Sequence, residues 1–99
     1  MQLIPILAVT ALSVVNPVSE QVPKIQACLS PREMRETIAE HRAVQPLVAL
    51  RAAGLGEKIR AQLCRTEKGL VYLITALGRD GHVWRIFVDA RTGIRVGAR

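Results

Sequence analysis

The fold is decided by residues 70–93, LVYLITALGRDGHVWRIFVDARTG, where two apolar runs flank a short polar segment. The runs are rich in β-branched and aromatic side chains, which favour strands. Between them, residues 79–81 suit a three-residue hairpin loop in which Gly81 takes the left-handed bulge position. We therefore predict two antiparallel strands, over 70–78 and 82–89, joined as a hairpin.

The length of the hairpin loop decides which side chains share a face of the sheet. A two-residue loop of Asp80 and Gly81 would slip the register by one residue and turn one strand over. The three-residue loop is preferred because it places Trp84 and two β-branched residues opposite the run around Ile74. One face then carries Tyr72, Ile74, Ala76, Trp84, Ile86 and Val88.

The same alternation of apolar and polar residues predicts further strands outside the hairpin. Residues 58–63 alternate and lead through a turn at 66–69 into the hairpin, which is typical of a half-buried strand. A second turn, at 90–93, precedes a short last strand over 94–96. The side chains of the first strand expected to face the core are Ile59, Ala61 and Leu63.

The helical half begins with a capping box. The Ser30 hydroxyl can accept a hydrogen bond from the amide of Glu33, whose carboxylate can accept one from the amide of Ser30. Pro31 falls at the first helical position, where its missing N–H is not needed. Leu29 and Met34 are spaced as a hydrophobic staple. The core face of this helix combines Met34 and Ile38 with either Thr37 or His41.

A second helix is predicted after Pro46, because proline interrupts the first helix and suits the first position of the next. It runs to about residue 53 and turns Leu47 and Leu50 toward the core, with Val48 as an open alternative. Together these elements predict an α+β fold. Two short helices pack on one face of a three- to four-stranded antiparallel sheet.

The start of the chain is typical of a targeting segment. Residues 3–15 are almost wholly apolar and uncharged, too short for a membrane span of about 20 residues but suited to a signal-peptide core. A buried N-terminal helix is disfavoured because the stretch is apolar on all sides. Residues 16–24 have linker composition, so we expect signal peptide and linker over 1–27 and one folded domain over 28–99. The mature chain then has no transmembrane span.

Net charge is concentrated in the second half of the chain. The first 50 residues carry four basic and four acidic side chains, whereas residues 51–99 carry ten basic and four acidic ones. An excess of one sign favours an acidic partner or an anionic surface, although solubility of a small basic protein is the simpler interpretation.

The sequence predicts no catalytic residue, metal site or cofactor. Cys28, His41, Cys64 and His82 are far apart and include none of the short paired spacings of zinc sites. The same spacing gives no cysteine–histidine catalytic pair. A nucleic-acid partner is disfavoured because a single pair of aromatic residues, Tyr72 and Trp84, is more often core, and because the chain is expected to be exported.

Four short motifs resemble the PepSY family of small exported bacterial domains. They are Leu29-Ser30-Pro31-Arg32-Glu33, Leu70-Val71-Tyr72-Leu73-Ile74, Asp80-Gly81-His82-Val83-Trp84 and Val88-Asp89-Ala90-Arg91-Thr92-Gly93. The last is the most specific, although Asp89, Thr92 and Gly93 also have a structural account as turn residues. The resemblance covers residues 28–99 and implies helices packed on an antiparallel sheet. It also implies a stand-alone relative of domains that inhibit secreted peptidases or modulate proteolysis at the cell envelope.

Two hypotheses for function follow. The first is a non-catalytic binding domain that contacts an envelope or secreted protein, such as a peptidase, through the sheet face away from the helices. The open alternative for that face is that loops and the N-terminal segment cover its apolar side chains. Arg60 and Arg85 would supply steering charge, while Leu73 and Phe87 would supply contact area. The alternative is an envelope sensory or structural domain that binds a small ligand or anionic surface through Lys58 and the same arginines.

The two cysteines are expected to form a disulfide, because cysteines in a small exported domain are usually paired. Cys28 precedes the first helix, and Cys64 lies in the first predicted strand with parity opposite to Leu63. Its side chain therefore points away from the helices. The bond would require that strand to be an edge, or a bulge near Cys64.

We predict that the protein is periplasmic or secreted and that its leader is cleaved upstream of Cys28. The apolar stretch 3–15 and the linker after it motivate this expectation. Mass spectrometry of the native protein should find a chain that lacks this stretch. An intact cytoplasmic product that starts at Met1 would contradict the prediction.

Overall fold

The computed structural model describes residues 22–54 and 56–99. The predicted signal-peptide core and most of the linker lie outside the described residues. In chain order the elements are β1 (Ala27–Cys28), α1 (Pro31–Ala39), α2 (Pro46–Ala52), β2 (Glu57–Thr66), β3 (Gly69–Leu77), β4 (Val83–Asp89) and β5 (Arg95–Ala98).

The strands form one antiparallel sheet in the order β1-β2-β3-β4-β5, so each strand pairs with its neighbours in the sequence. The α+β class with two helices is confirmed. The expected three to four strands become five, because Ala27–Cys28 pairs with β2 as an additional short strand. A two-residue strand has no periodicity, which is why the sequence pattern did not reveal it.

The hairpin has the predicted three-residue loop. Ala76 lies opposite Trp84 and Ile74 opposite Ile86. The amide of Gly78 donates to the carbonyl of His82 at 2.8 Å and closes the loop. Gly81 has a φ of 87°, the left-handed conformation that glycine adopts without steric cost.

The turn after β4 explains the most specific motif in structural terms. The Asp89 carboxylate accepts hydrogen bonds from the amides of Arg91 and Thr92, at 2.8 and 3.0 Å. Gly93 has a φ of 77°, and a Cβ atom there would lie 2.8 Å from a methyl group of Val48. Glycine is therefore required both for the backbone conformation and for the close approach of α2.

The capping box at the start of α1 is present in both directions. The Ser30 hydroxyl accepts from the amide of Glu33 at 3.1 Å, and the Glu33 carboxylate accepts from the amide of Ser30 at 2.9 Å. The hydrogen bond from the Ser30 amide lowers the pKa of Glu33. Of the two candidates for the core face, Thr37 is buried and His41 is exposed.

Helix α2 is rotated relative to the prediction. Its buried residue is Ala49, and Ala53 just beyond its end is buried as well, whereas Leu47 is 54% exposed and Val48 is also exposed. Leu50 is half-buried. Small alanine side chains allow the short helix to approach the sheet closely, so the larger residues lie outside.

We call the sheet face covered by the helices the inner face. Its central residue is Tyr72, which is fully buried and donates a hydrogen bond from its hydroxyl to the carbonyl of Val44 at 2.5 Å. Burial raises the pKa of Tyr72. The buried apolar residues of this core include Leu29, Ala49, Ala53, Leu63, Tyr72, Ile74, Ala76, Ile86, Val88 and Ala90.

A β-bulge near the start of β2 overturns one predicted core position. Lys58 pairs with Ala76 and Arg60 pairs with Thr75, which leaves Ile59 as the extra residue, 56% exposed. Because a bulge shifts the alternation by one residue, the pattern read from Leu63 backwards fails at this point.

The disulfide between Cys28 and Cys64 is confirmed, but it is placed differently from the expectation. The two cysteines are direct cross-strand partners in β1 and β2, so β2 is not an edge at Cys64 and the bulge lies at its other end. The next pair is hydrogen-bonded, from the Leu29 amide to the Leu63 carbonyl at 2.8 Å. The cysteines therefore occupy a non-hydrogen-bonded position, where opposed side chains are closest.

We predict that replacing both Cys28 and Cys64 by Ala lowers the free energy of unfolding by about 4 kcal/mol, since the bond closes a long loop in the unfolded chain. Denaturant unfolding of the parent and the double variant measures the difference. Thiol titration of the oxidised, unfolded parent should find no reactive cysteine. Two titratable thiols would refute the bond in the native protein.

Candidate binding site on the outer sheet face

The sheet face opposite the helices, here the outer face, carries all four residues predicted to contact a partner. Arg60 lies opposite Thr75, which lies opposite Arg85, and Leu73 lies opposite Phe87 in the adjacent row. Arg60 and Arg85 are exposed, and Leu73 is half-buried. The register therefore brings these residues together on one surface.

Phe87 does not belong to the accessible part of that surface. Its exposed fraction is 0%, and it forms a second small apolar cluster with Cys64 and Val71. Val22 and Ile25 pack against this cluster. The expectation that Phe87 supplies contact area for a partner is thus corrected, because its side chain is fully buried in a cluster against which the chain preceding β1 packs.

We call residues 22–26 the strap. The amide of Gln26 donates to the carbonyl of Arg65 at 2.9 Å, and the disulfide between Cys28 and Cys64 anchors the chain two residues later. Ala27, in β1, lies one residue before the expected start of the domain. The strap therefore belongs to the folded unit and covers part of the outer face.

Beside the strap, three arginines and a threonine form a line across the sheet, here the arginine row: Arg60, Thr75, Arg85 and Arg99. Arg85 and Arg99 exchange two backbone hydrogen bonds of 2.8 Å, so they are direct cross-strand partners. The guanidinium carbon of Arg99 lies 5.7 Å from the ring centroid of Phe87, a cation–π contact on the same face. The row crosses three inter-strand spacings, about 14 Å in all.

No carboxylate forms an ion pair with the arginine row among residues 22–54 and 56–99. Arg32 pairs with Glu36 and Arg42 pairs with Glu40, in and just after α1 and away from the row. Like charges placed directly opposite in a sheet repel, as Arg85 and Arg99 do. The row is therefore a concentrated positive site whose charge no described side chain neutralises by direct pairing.

The rows on either side of the arginines are apolar on β3 and β4 and polar on β2, where Gln62 lies opposite Leu73 and Glu57 opposite Leu77. Leu73 lies toward the strap and is half-buried, while Leu77 and Val83 lie toward the hairpin loop. Val83 is 43% exposed. A ligand seated on the row would meet the arginines along its centre and hydrocarbon from Leu73, Leu77 and Val83 at its edges. At the β2 end it would also meet the polar side chains of Glu57 and Gln62.

The histidines and cysteines of the described residues lie apart from one another, except for Cys28 and Cys64 in the disulfide. Among residues 22–54 and 56–99, no group of three or more histidine, cysteine or acidic side chains could hold a metal. His82 contacts the edge of Trp84, with ring centroids 4.4 Å apart, and His41 is exposed at the end of α1. In the same part of the chain, no helix is long and apolar enough to cross a membrane.

Trp84 shows where the helices stop. Its parity places it on the inner face, as predicted, yet it is 43% exposed. The helices cover the middle of the sheet and leave the hairpin end open, so the large ring lies against His82 rather than in the core.

Arg99 is a residue of the candidate site that the strand pattern did not place there. The last strand was expected over 94–96, whereas β5 runs over Arg95–Ala98 with an irregular register between Phe87 and Val88 of its partner strand. The sequence held no signal for it. Arg95 lies opposite Val88 of the inner face, so regular alternation would place Arg99 on the inner face, and the register irregularity in between moves it to the outer face.

Beside the strap, a cleft of about 340 Å³ lies between residues 22–24, the β2–β3 turn and β5. Valine and leucine side chains line it, and charges of both signs surround it, including Lys24, Lys68, Glu67 and Asp89. The carboxylate of Asp89 already accepts the turn amides described above. The cleft therefore has no single ligand chemistry, unlike the arginine row.

Comparison of the chain with protein-family models, with curated proteins and with solved structures finds no match in any of the three.

We predict that Phe87→Ala lowers the free energy of unfolding by about 3–5 kcal/mol, because it removes a fully buried ring. Arg85→Gln, an exposed position in the neighbouring row, should change it by no more than about 0.5 kcal/mol. Denaturant unfolding of both variants measures the contrast. Equal, small effects would show that Phe87 is accessible and that the strap does not cover it.

Proposed function

We propose that the protein is an exported, non-catalytic binding domain, similar to PepSY domains, that modulates a peptidase or another envelope or secreted protein by direct contact. The observation that carries the proposal is the arginine row, whose three arginines are exposed on the sheet beside the apolar side chains of Leu73, Leu77 and Val83. A surface of this kind can modulate a partner by binding it, which requires complementary shape and charge but no catalytic groups.

The disulfide supports a periplasmic or secreted location. Disulfides persist in oxidising compartments and are rare in the cytosol. Cys64 is fully buried under the strap, so the bond is a structural part of the outer face. The proposed binding surface therefore takes its final form only in a compartment where the disulfide can form.

The chemistry of the row favours a protein partner. Arginine is enriched among the residues that dominate binding energy in protein interfaces, and exposed charges accelerate encounter with a partner of opposite sign. Because Arg60, Thr75 and Arg85 lie on three adjacent paired strands, the positions of their backbones are set before binding. Preorganisation lowers the entropy cost of association.

We predict that a photo-crosslinking residue at Val83 captures a specific protein from envelope extract, whereas the same residue at Leu47 does not. Both side chains are exposed and apolar, but Val83 borders the arginine row and Leu47 lies on α2. Gel analysis and mass spectrometry identify the product. With the partner purified, Arg60→Gln/Arg85→Gln should slow association about ten-fold and flatten its salt dependence.

The matched control is Arg35→Gln/Arg51→Gln, which removes the same charge from exposed positions on the helices. Its association rate should stay within about two-fold of the parent. Capture at Leu47 alone, or equal effects of the two double variants, would contradict the proposal. So would turnover of a peptide substrate by the purified domain itself.

A further inference from the structure

We infer that the arginine row binds an extended acidic segment of a protein, with alternate carboxylates placed along the line from Arg60 to Arg99. This inference rests on the proposed function and assigns the chemistry of the partner. It depends on three features: the cross-strand spacing of the row, the absence of described ion pairs to its arginines, and the height of the strap above the neighbouring part of the sheet.

The spacing of the row fits an extended chain. Arg60 and Arg85 are separated by two strand spacings, about 9.6 Å, and Arg85 and Arg99 by one, about 5 Å. In an extended peptide, alternate side chains are about 6.7 Å apart, so three of them span about 13 Å. Arginine side chains are long enough to absorb the small differences, and each guanidinium can hold a carboxylate with two parallel hydrogen bonds.

The charge of the row favours a ligand with several carboxylates. Arg85 and Arg99 are directly opposed, and no described carboxylate pairs with either. An anion placed between them would replace repulsion by attraction, and the Thr75 hydroxyl lies between Arg60 and Arg85 as a further donor. The apolar borders at Leu73 and Val83 would shield these hydrogen bonds from water and strengthen them.

The strap favours a narrow protein segment over a flat membrane. Val22 and Ile25 pack against the cluster of Cys64, Val71 and Phe87, and Phe87 lies in the row immediately beside the arginines. The arginine row therefore lies at the foot of a step one chain thick. A flat lipid surface would meet the strap first, whereas an extended segment can lie along the step and reach all three guanidinium groups.

The test uses the exported, oxidised protein and a blocked seven-residue peptide in which glutamate alternates with small polar residues. Fluorescence anisotropy measures its dissociation constant at low and at physiological salt. We expect affinity at least ten-fold above that of a peptide with glutamine in place of glutamate. Arg60→Gln/Arg85→Gln should weaken binding at least ten-fold, and Arg35→Gln/Arg51→Gln no more than two-fold.

Two further probes separate other sources of negative charge. Phosphatidylglycerol vesicles that bind the parent but not Arg60→Gln/Arg85→Gln, when the peptide does not bind, would overturn the inference in favour of a membrane surface. In a competition experiment, inorganic phosphate is added at a concentration that supplies as much negative charge as the peptide. Complete displacement of the peptide by this phosphate would overturn recognition of an extended segment. Equal binding of the glutamate and glutamine peptides would overturn it as well.

The result also separates this inference from the proposed function. If the peptide fails to bind but capture at Val83 still depends on Arg60 and Arg85, the partner binds without an acidic segment and only the inference is wrong. If the peptide binds and no protein is captured at Val83, the site stands and the proposed function fails.

Discussion

The bond between Cys28 and Cys64 is the constraint on which the rest of the structure depends. It joins the two-residue strand β1 to β2 and so fixes the strap on the outer face, where Val22 and Ile25 pack against the cluster of Cys64, Val71 and Phe87. Two short helices can cover one face of a five-stranded sheet, and the strap covers part of the other. Without it, the side chains of Val71 and Phe87 would form an exposed apolar patch of the kind that soluble monomers avoid.

The strap divides the outer face into two parts with different roles. Beneath it, an apolar cluster around Phe87 adds stability. Beside it, the arginine row remains open, and the cation–π contact of Arg99 with Phe87 links the two parts. The same bond that stabilises the fold therefore shapes the border of the surface we propose for binding, and binding and stability are coupled through a few side chains of one sheet face.

Local rules predicted much of this structure, and long-range effects account for the rest. The capping box at Ser30 and the hairpin loop ending at Gly81 depend on residues close in sequence, and both are as predicted. The predicted core position of Ile59 was wrong because of the bulge. The sequence still alternates between apolar and polar residues there, but the bulge turns the side chains before it to the other face of the sheet. Phe87 and Leu47 were misplaced because their burial is decided by a strap and by a helix rotation that hydrophobic pattern alone cannot fix.

The central claim is that the disulfide-anchored strap seals Phe87, and the chain's single phenylalanine allows a direct test. Labelling with fluorophenylalanine places one ¹⁹F nucleus at Phe87, whose relaxation by a soluble paramagnet reports its accessibility. The account predicts strong protection in the oxidised protein and a several-fold loss of protection after reduction, with amide exchange at Tyr72 as the control for the inner core. A ¹⁹F nucleus accessible in the oxidised protein, or equally protected in both states, would contradict the account.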